Sequence, residues 1–319
     1  MNSNLLLDNL SNPALLFFVL GIVSVMLKSD LKIPDNSSKF ISLYLLFAIG
    51  FKGGQELSHE SFNSQMIWVM LTGIFLSMAI PFYTFFILKK KLNIYDAGAT
   101  AAAYGSVSAV TFVTAVSYLE THHLQIHGYM VATMALMESP AIIVGLLLIS
   151  VFGKDTQQGI QKKEAVKHSL TNGSVLLILG SLIIGYLADA KQAEGIKPFT
   201  NDLFKGFLAI FLLDMGISSG KKLTSFFSYG WFPIIFAAII PLVNGCFVGW
   251  VTGFFCDYAI DRFILAVLAA SASYIAVPAA MKISVPQANP GLYLPMTLAI
   301  TFPINITIGL PLYFGIVSA

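Results

Sequence analysis

Two short stretches hold most of the chemistry available to this chain. The first reads Tyr104-Gly105-Ser106-Val107-Ser108-Ala109-Val110-Thr111 and the second Ser271-Ala272-Ser273-Tyr274-Ile275-Ala276-Val277-Pro278. Each places small and hydroxyl-bearing residues in the middle of a long apolar run. Gly105 and Pro278 weaken the helical hydrogen-bond ladder, and backbone groups released in an apolar surrounding need a protein or water partner, so broken helices survive only around a cavity. If both runs stop and restart near one depth, two half-helix N-termini can aim N–H groups and positive dipole ends at an anion. Gly105, Ser106, Ser108, Thr111, Ser271, Ser273 and Tyr274 are therefore candidate substrate-binding residues. Unwound carbonyls and the hydroxyls of Ser108, Thr111 and Ser273 would suit Na+. The alternative is a tight crossing of small residues that needs no ligand.

Carboxylates inside apolar runs are costly unless they face a polar interior. Glu138, before Pro140, and Asp214, before Gly216, are two such groups. Glu138 is a candidate for Na+ coordination beside Ser108, or for proton coupling, against the alternative of a bond to neighbouring hydroxyls. Asn305 and Thr307 either line the same cavity or bond across helices. Lys52 either draws an anion towards an entrance or snorkels to the interface. His122, His123 and His127 cluster, with 123 and 127 at the i, i+4 spacing of a helical metal site, but no Cys or acidic HExxH partner accompanies them. They read as a solvated loop. All five histidines fall in loops, which leaves no membrane-embedded Ser/His dyad and no case for an enzyme.

These residues need elements to hold them, and composition says which. Of 319 residues, 56% are hydrophobic and 11% charged, and mean hydropathy is +0.79, so lipid is the main solvent. A net charge of +2 with no basic cluster excludes nucleic acid as a partner. Cys246 and Cys256 would lie roughly 15 Å apart on one helix, too far for a disulfide. Met1 to Asn12 contains Asp8 and no Lys or Arg, so no cleaved secretory signal is expected.

Ten apolar stretches approach the ~20 residues that cross a bilayer. They run Pro13 to Leu27, Phe40 to Phe51, Met66 to Leu88, Asp96 to Leu119, Gly128 to Phe152, Gly173 to Leu187, Leu203 to Ile217, Tyr229 to Phe255, Ile260 to Ile283 and Leu292 to Val317. Alternating the loops leaves only Lys52, Lys191, Lys197, Lys205 and Arg262 of the 18 Lys and Arg residues on one side. The positive-inside rule then puts both termini outside the cytoplasm and the cationic 153–172 linker within it.

Punctuation recurs at offsets of about 160 to 166 residues. Gly50, Gly54 and Leu57 answer to Gly216, Gly220 and Leu223. Asp96, Ser106 and Ser108 answer to Asp261, Ser271 and Ser273, and Gly128 and Pro140 to Gly291 and Pro303. Five spans per copy, an odd number, force the second copy upside down. The expected fold is an all-α integral membrane protein of ten spans, two inverted five-helix repeats (1–152 and 173–319) joined by the linker, with broken, crossing fourth and ninth helices. That plan is typical of secondary transporters.

Gly105 to Glu120 (GSVSAVTFVTAVSYLE), Ala135 to Ile142 (ALMESPAI) and Ala269 to Phe314, with its ordered VPQANPGLY, resemble the sodium-dependent bicarbonate transporter family of bacteria. The resemblance implies an inner-membrane symporter of ten spans, usually a homotrimer, importing bicarbonate with Na+ and needing no other cofactor. It carries substrate binding over to Ser106, Ser108 and Thr111 on one side and Ser271 and Ser273 on the other. The acidic position before the fifth-span proline is Asp in the family and Glu138 here. The family's ninth-span break has a serine run, an acidic residue, another serine and a glycine, where this chain has Tyr274, Ala276 and Val277. A hard anionic ligand is replaced by a bulky phenol. The linker is also short beside the family's, which weakens the expectation of a PII-like regulatory partner.

Overall fold

The computed structural model describes residues 13–60, 63–153, 173–226 and 229–318. The amino-terminal segment and nearly all of the 153–172 linker lie outside them. Among the described residues the protein is helical, with no strand. The elements are α1 (Pro13–Met26), α2 (Asp35–His59), α3 (Ser64–Leu88), α4 (Ile94–Gly105), α5 (Ala109–Thr121), α6 (Tyr129–Phe152), α7 (Gly173–Leu187), α8 (Ala190–Lys197), α9 (Phe204–Phe226), α10 (Trp231–Val251), α11 (Ala259–Ala270), α12 (Ala276–Ser284) and α13 (Pro290–Val317).

Among the described residues, six helical stretches are long and apolar enough to cross a bilayer: Ser64–Leu88, Ile94–Thr121, Tyr129–Phe152, Lys191–Lys222, Trp231–Phe254 and Pro290–Val317. Pro13–Met26 and Leu176–Leu187 are apolar but shorter. α2 has the length, yet it carries Asp35, Lys39, Lys52 and Glu56. It also runs well past the expected Phe40 to Phe51 at both ends. Large apolar side chains such as Trp68, Phe75 and Phe82 on α3 and Phe247 and Trp250 on α10 stand exposed. In water such a surface would be a liability; against acyl chains it costs nothing. The chain is a multi-pass membrane protein.

Glycines set the closest helix contacts. A Cβ on Gly54 of α2 would strike the backbone of α7 at Leu182 and Tyr186, and one on Gly216 of α9 would strike the backbone of α1 at Phe18 and Gly21. Bare backbone on one face thus lets α2 lie directly on α7 and α9 directly on α1. The remaining helices form a second group: α3 packs on α4 and α6, and α10 packs on α11 and α13. α13 is helical throughout but opens into wide π turns at Met296–Thr301 and Asn305–Gly309. Pro303 and Pro311, which have no N–H to donate, account for the loosened ladder there.

Candidate functional site

The two hydroxyl-rich stretches are where helices break. α4 ends at Gly105 and α5 begins at Ala109; α11 ends at Ala270 and α12 begins at Ala276. A side chain on Gly105 would run into the Pro81 ring of α3, so this glycine lets the end of α4 press against its neighbour. Pro278 sits in the first turn of α12, where a missing N–H is harmless, so it marks the restart rather than the break.

The breaks touch. Ser108 N donates to Ser271 Oγ at 3.0 Å, and Ser273 N donates to the Ala103 carbonyl at 2.8 Å. The second break thus satisfies a backbone donor of the first, and the last turn of α4 satisfies one of the second. Ser108 also caps α5, its Oγ accepting from Thr111 N at 3.2 Å. At the end of α11, Asn244 Nδ2 of α10 donates to the Ala269 carbonyl at 3.3 Å and Asn305 Nδ2 of α13 to the Ala270 carbonyl at 2.7 Å. These amides replace the intrahelical donors that the last carbonyls of a helix lack. Asn305 is thus a cross-helix bond and Thr307 bonds back to the Pro303 carbonyl at 2.7 Å.

Where α5 and α12 begin lies a cavity of about 30 Å³, room for the centres of roughly two waters. Ser108, Ala109 and Val110 line it from one break, Ser273, Tyr274, Ile275 and Ala276 from the other, and Glu138 from α6. N–H groups at the start of a helix have no intrahelical acceptor; Thr111 N is taken by Ser108 Oγ and Val277 N by Ser273 Oγ at 3.4 Å, while Ala109, Val110 and Ala276 line the cavity. The Glu138 carboxylate has no ion-pair partner among the described residues. The Tyr274 hydroxyl is buried beside Ser108 and makes no hydrogen bond among the described residues. Its ring stands edge-on to Phe302, centroids 6.1 Å apart.

Four of the eight sequence-predicted residues, Ser108, Glu138, Ser273 and Tyr274, therefore share one small cavity. Gly105, Ser106, Thr111 and Ser271 are buried around it without lining it; Ser106 Oγ donates to the Glu138 carbonyl at 3.2 Å. Asp214 also lies outside the lining, with Ser38 of α2 donating to it. Sequence reasoning missed Ser42, Leu45 and Leu46 of α2, Met134 of α6 and Ile178 of α7 as wall residues. Only Ser42, a hydroxyl in an apolar span, offered a signal.

The expected entrance differs more. Lys52 pairs with Glu120 of α5, so its charge is answered. That pair sits on a second cavity of about 190 Å³, lined also by Thr200, Asn201 and Asp202. The three histidines do share one loop, and His123 is exposed, but the other two are engaged. His122 packs on Tyr118 and Phe314, and His127 Nδ1 lies 2.7 Å from Asp261 Oδ1. Among the described residues no group of three or more His, Cys, Asp or Glu side chains is placed to hold a metal ion.

A cavity sized for a few heavy atoms, walled by two helix N-termini and one carboxylate inside a membrane protein, narrows the comparison. The family model described as the Na+-dependent bicarbonate transporter superfamily matches residues 13–318. The chain belongs to that superfamily. A search of curated proteins finds no match to the sequence. Superfamily membership makes Na+ the implied coupling ion and bicarbonate the implied cargo, and it places the chain in a family of transporters.

Proposed function

We propose that this protein is a secondary transporter that imports a small monoanion, bicarbonate, together with Na+, by alternating access between two inverted halves. The observation that carries the reading is the convergence of the α5 and α12 N-termini and the Glu138 carboxylate on one small cavity. The N–H groups of the first turns and the hydroxyls of Ser108, Ser273 and Tyr274 are donors for the anion's oxygens. Glu138, with hydroxyl and carbonyl oxygens from the breaks, is the hard-oxygen set for Na+. Gly105, Ser106, Thr111 and Ser271 support that set by fixing where the breaks fall.

The inverted halves are supported by packing that exchanges under the repeat. Residues 1–152 contribute α2 to the α2–α7 pair and α1 to the α1–α9 pair, and residues 173–319 contribute their counterparts α9 and α7. Asp96 and Asp261, matched in sequence, play matched parts. Each lies in the first turn of a broken helix and receives a bond from the segment before the last span of the other half, Asp96 from Asn289 N at 2.6 Å and Asp261 from His127. The lysine bias supports an orientation in the bacterial inner membrane with both termini and the 120–128 segment outside and the linker inside.

Uptake of labelled bicarbonate into proteoliposomes, with and without an inward Na+ gradient, tests the proposal. Uptake that ignores Na+ sinks it. One feature favours a second reading, a transport-inactive sensor on the same scaffold: Tyr274 stands in the ninth-span break, where the resemblance implies an acidic residue. Saturable bicarbonate binding that is lost in Ser108→Ala and Ser273→Ala, without any flux in the parent, would select it.

A further inference from the structure

His127 sits at a junction that the transport site does not use. Asp261, fully buried in the first turn of α11, accepts from the Tyr129 hydroxyl and lies 2.7 Å from His127 Nδ1. The imidazole stacks on Tyr129 at 5.2 Å between centroids, and Tyr258 leans over it at 4.7 Å. Next to it, Glu60 at the end of α2 accepts from the Gly128 N–H at 2.7 Å, while its second oxygen is buried without a hydrogen bond among the described residues. Two turns back along α2, Lys52 reaches Glu120 of α5. The outer end of α2 is thus tied by side chains to the 120–128 segment, whereas the rest of α2 packs on α7.

We propose that His127 is a pH-sensitive clasp: as an imidazolium it bonds Asp261 of α11 while its charge faces the Glu56 and Glu60 carboxylates of α2, and loss of its proton loosens the end of α2 against the 120–128 segment. The charged and titratable groups around the imidazole come from each neighbour. They are Asp261 from α11, Glu56 and Glu60 from α2, Tyr129 from α6 and Tyr258 from the loop before α11. Arg262 turns away, onto the Gly249 carbonyl at 3.3 Å. Among the described residues, the matched junction at the opposite end has no histidine. There Asp96 accepts from Asn289 N and from Asn93 Nδ2, both at 2.6 Å, and amides do not titrate. One end of the molecule is therefore held by a fixed bond and the other by a titratable one.

The sign follows from the partners. The hydrogen bond to Asp261 raises the His127 pKa above its ordinary 6.5; burial opposes this, and the charges of Asp261, Glu60 and Glu56 add to it. A raised histidine contributes its full stabilisation below about 6.5 and loses it as pH climbs through the higher folded value. Burial raises the Glu60 carboxyl above 4.5, against the Gly128 bond and the His127 charge, so Glu60 takes up its proton more readily here than in water and gives no release in acid. The clasp stands on this geometry and does not depend on the transport reading.

The test is a distance, so it does not depend on flux. Spin labels are placed at Ser58→Cys on the exposed end of α2 and Gln125→Cys on the segment opposite, in the full chain in lipid nanodiscs with Cys246→Ser and Cys256→Ser. Between about pH 6 and about pH 8.5, the distance distribution should lengthen and broaden with a midpoint above 6.5. His127→Gln should hold the long, broad distribution at every pH. Glu60→Gln, which keeps the imidazole and removes one facing carboxylate, should move the midpoint down; it carries the test if His127→Gln fails to fold. A parent distribution that does not change over this range, a His127→Gln variant that titrates like the parent, or an unmoved midpoint in Glu60→Gln overturns the proposal.

Discussion

Removing one oxygen atom separates binding from stability at this site. Tyr274→Phe keeps the ring and its edge contact with Phe302 but deletes a hydroxyl that is buried and unbonded among the described residues. An unsatisfied buried donor costs about 1 to 3 kcal/mol, so the empty protein should hold its stability or gain by up to that amount. A hydrogen bond from a neutral hydroxyl to a charged acceptor is worth about 1.5 to 3 kcal/mol, which at about 1.4 kcal/mol per decade is a roughly 10- to 150-fold loss of anion affinity. Because the bond would be made to the anion before and during translocation, the loss should appear in KM with the maximal rate little altered. Initial rates of labelled bicarbonate uptake across anion concentrations read the first effect, and thermal unfolding followed by tryptophan fluorescence reads the second. A variant that unfolds earlier and leaves KM where it was would show that the hydroxyl is a structural bond to Ser108, and the reasoning would fail.

Glu138→Gln removes the carboxylate of the cavity while keeping its shape, and uptake should lose its response to a Na+ gradient by tenfold or more, at about 1.4 kcal/mol per decade; Glu138→Asp should keep part of that response. Asn305→Leu strips the donor from the Ala270 carbonyl and the acceptor from the Tyr313 hydroxyl, 2.7 and 2.9 Å away. It should cost about 1 to 3 kcal/mol in a detergent unfolding curve. Gly54→Ala should destabilise by about 1 to 3 kcal/mol because its Cβ meets backbone that cannot rotate aside. Gly180→Ala on α7, with nothing within 4 Å of the new atom, should be neutral or stabilise by about 0.5 to 1 kcal/mol, and the contrast checks that the α2–α7 contact, not helix propensity, decides the sign.

Hydropathy locates the helices because lipid demands long apolar runs, and hydroxyls with Gly105 locate the breaks because unwound backbone needs polar company. Both signals are local, and both survive into the structure. The half of the site contributed by Leu45 and Ile178 was illegible for the opposite reason: an apolar wall residue looks like any lipid-facing one until its neighbours are known. His127 makes the same point with charge. Its type and spacing suggest solvent, yet its partner lies 134 positions away in the chain. Lys52 likewise looks like a free cation until Glu120, 68 positions on, answers it. Pro278 misleads differently, since a proline disrupts a helix interior but fits a first turn, and only the restart at Ala276 tells which it is.

The two halves of the site are not chemically equal, and the difference bears on stoichiometry. At an offset of 163 residues Glu138 corresponds to Thr301, whose Oγ1 donates to the Ala237 carbonyl at 2.7 Å and meets the Tyr104 hydroxyl at 2.8 Å. At an offset of 165, Ala109 corresponds to Tyr274. The second half thus gives the cavity hydroxyls and N–H groups but no carboxylate. In a low-dielectric interior a lone cation is affordable only beside a compensating charge. On the proposed reading Glu138 would compensate one Na+, donors and helix dipoles would hold the anion, and a second Na+ would have only the anion itself to balance it. The Na+ dependence of uptake should therefore follow a Hill coefficient near one, and a coefficient near two would mean that a further carboxylate, Asp214 being the nearest candidate in kind, enters the site during the transport cycle.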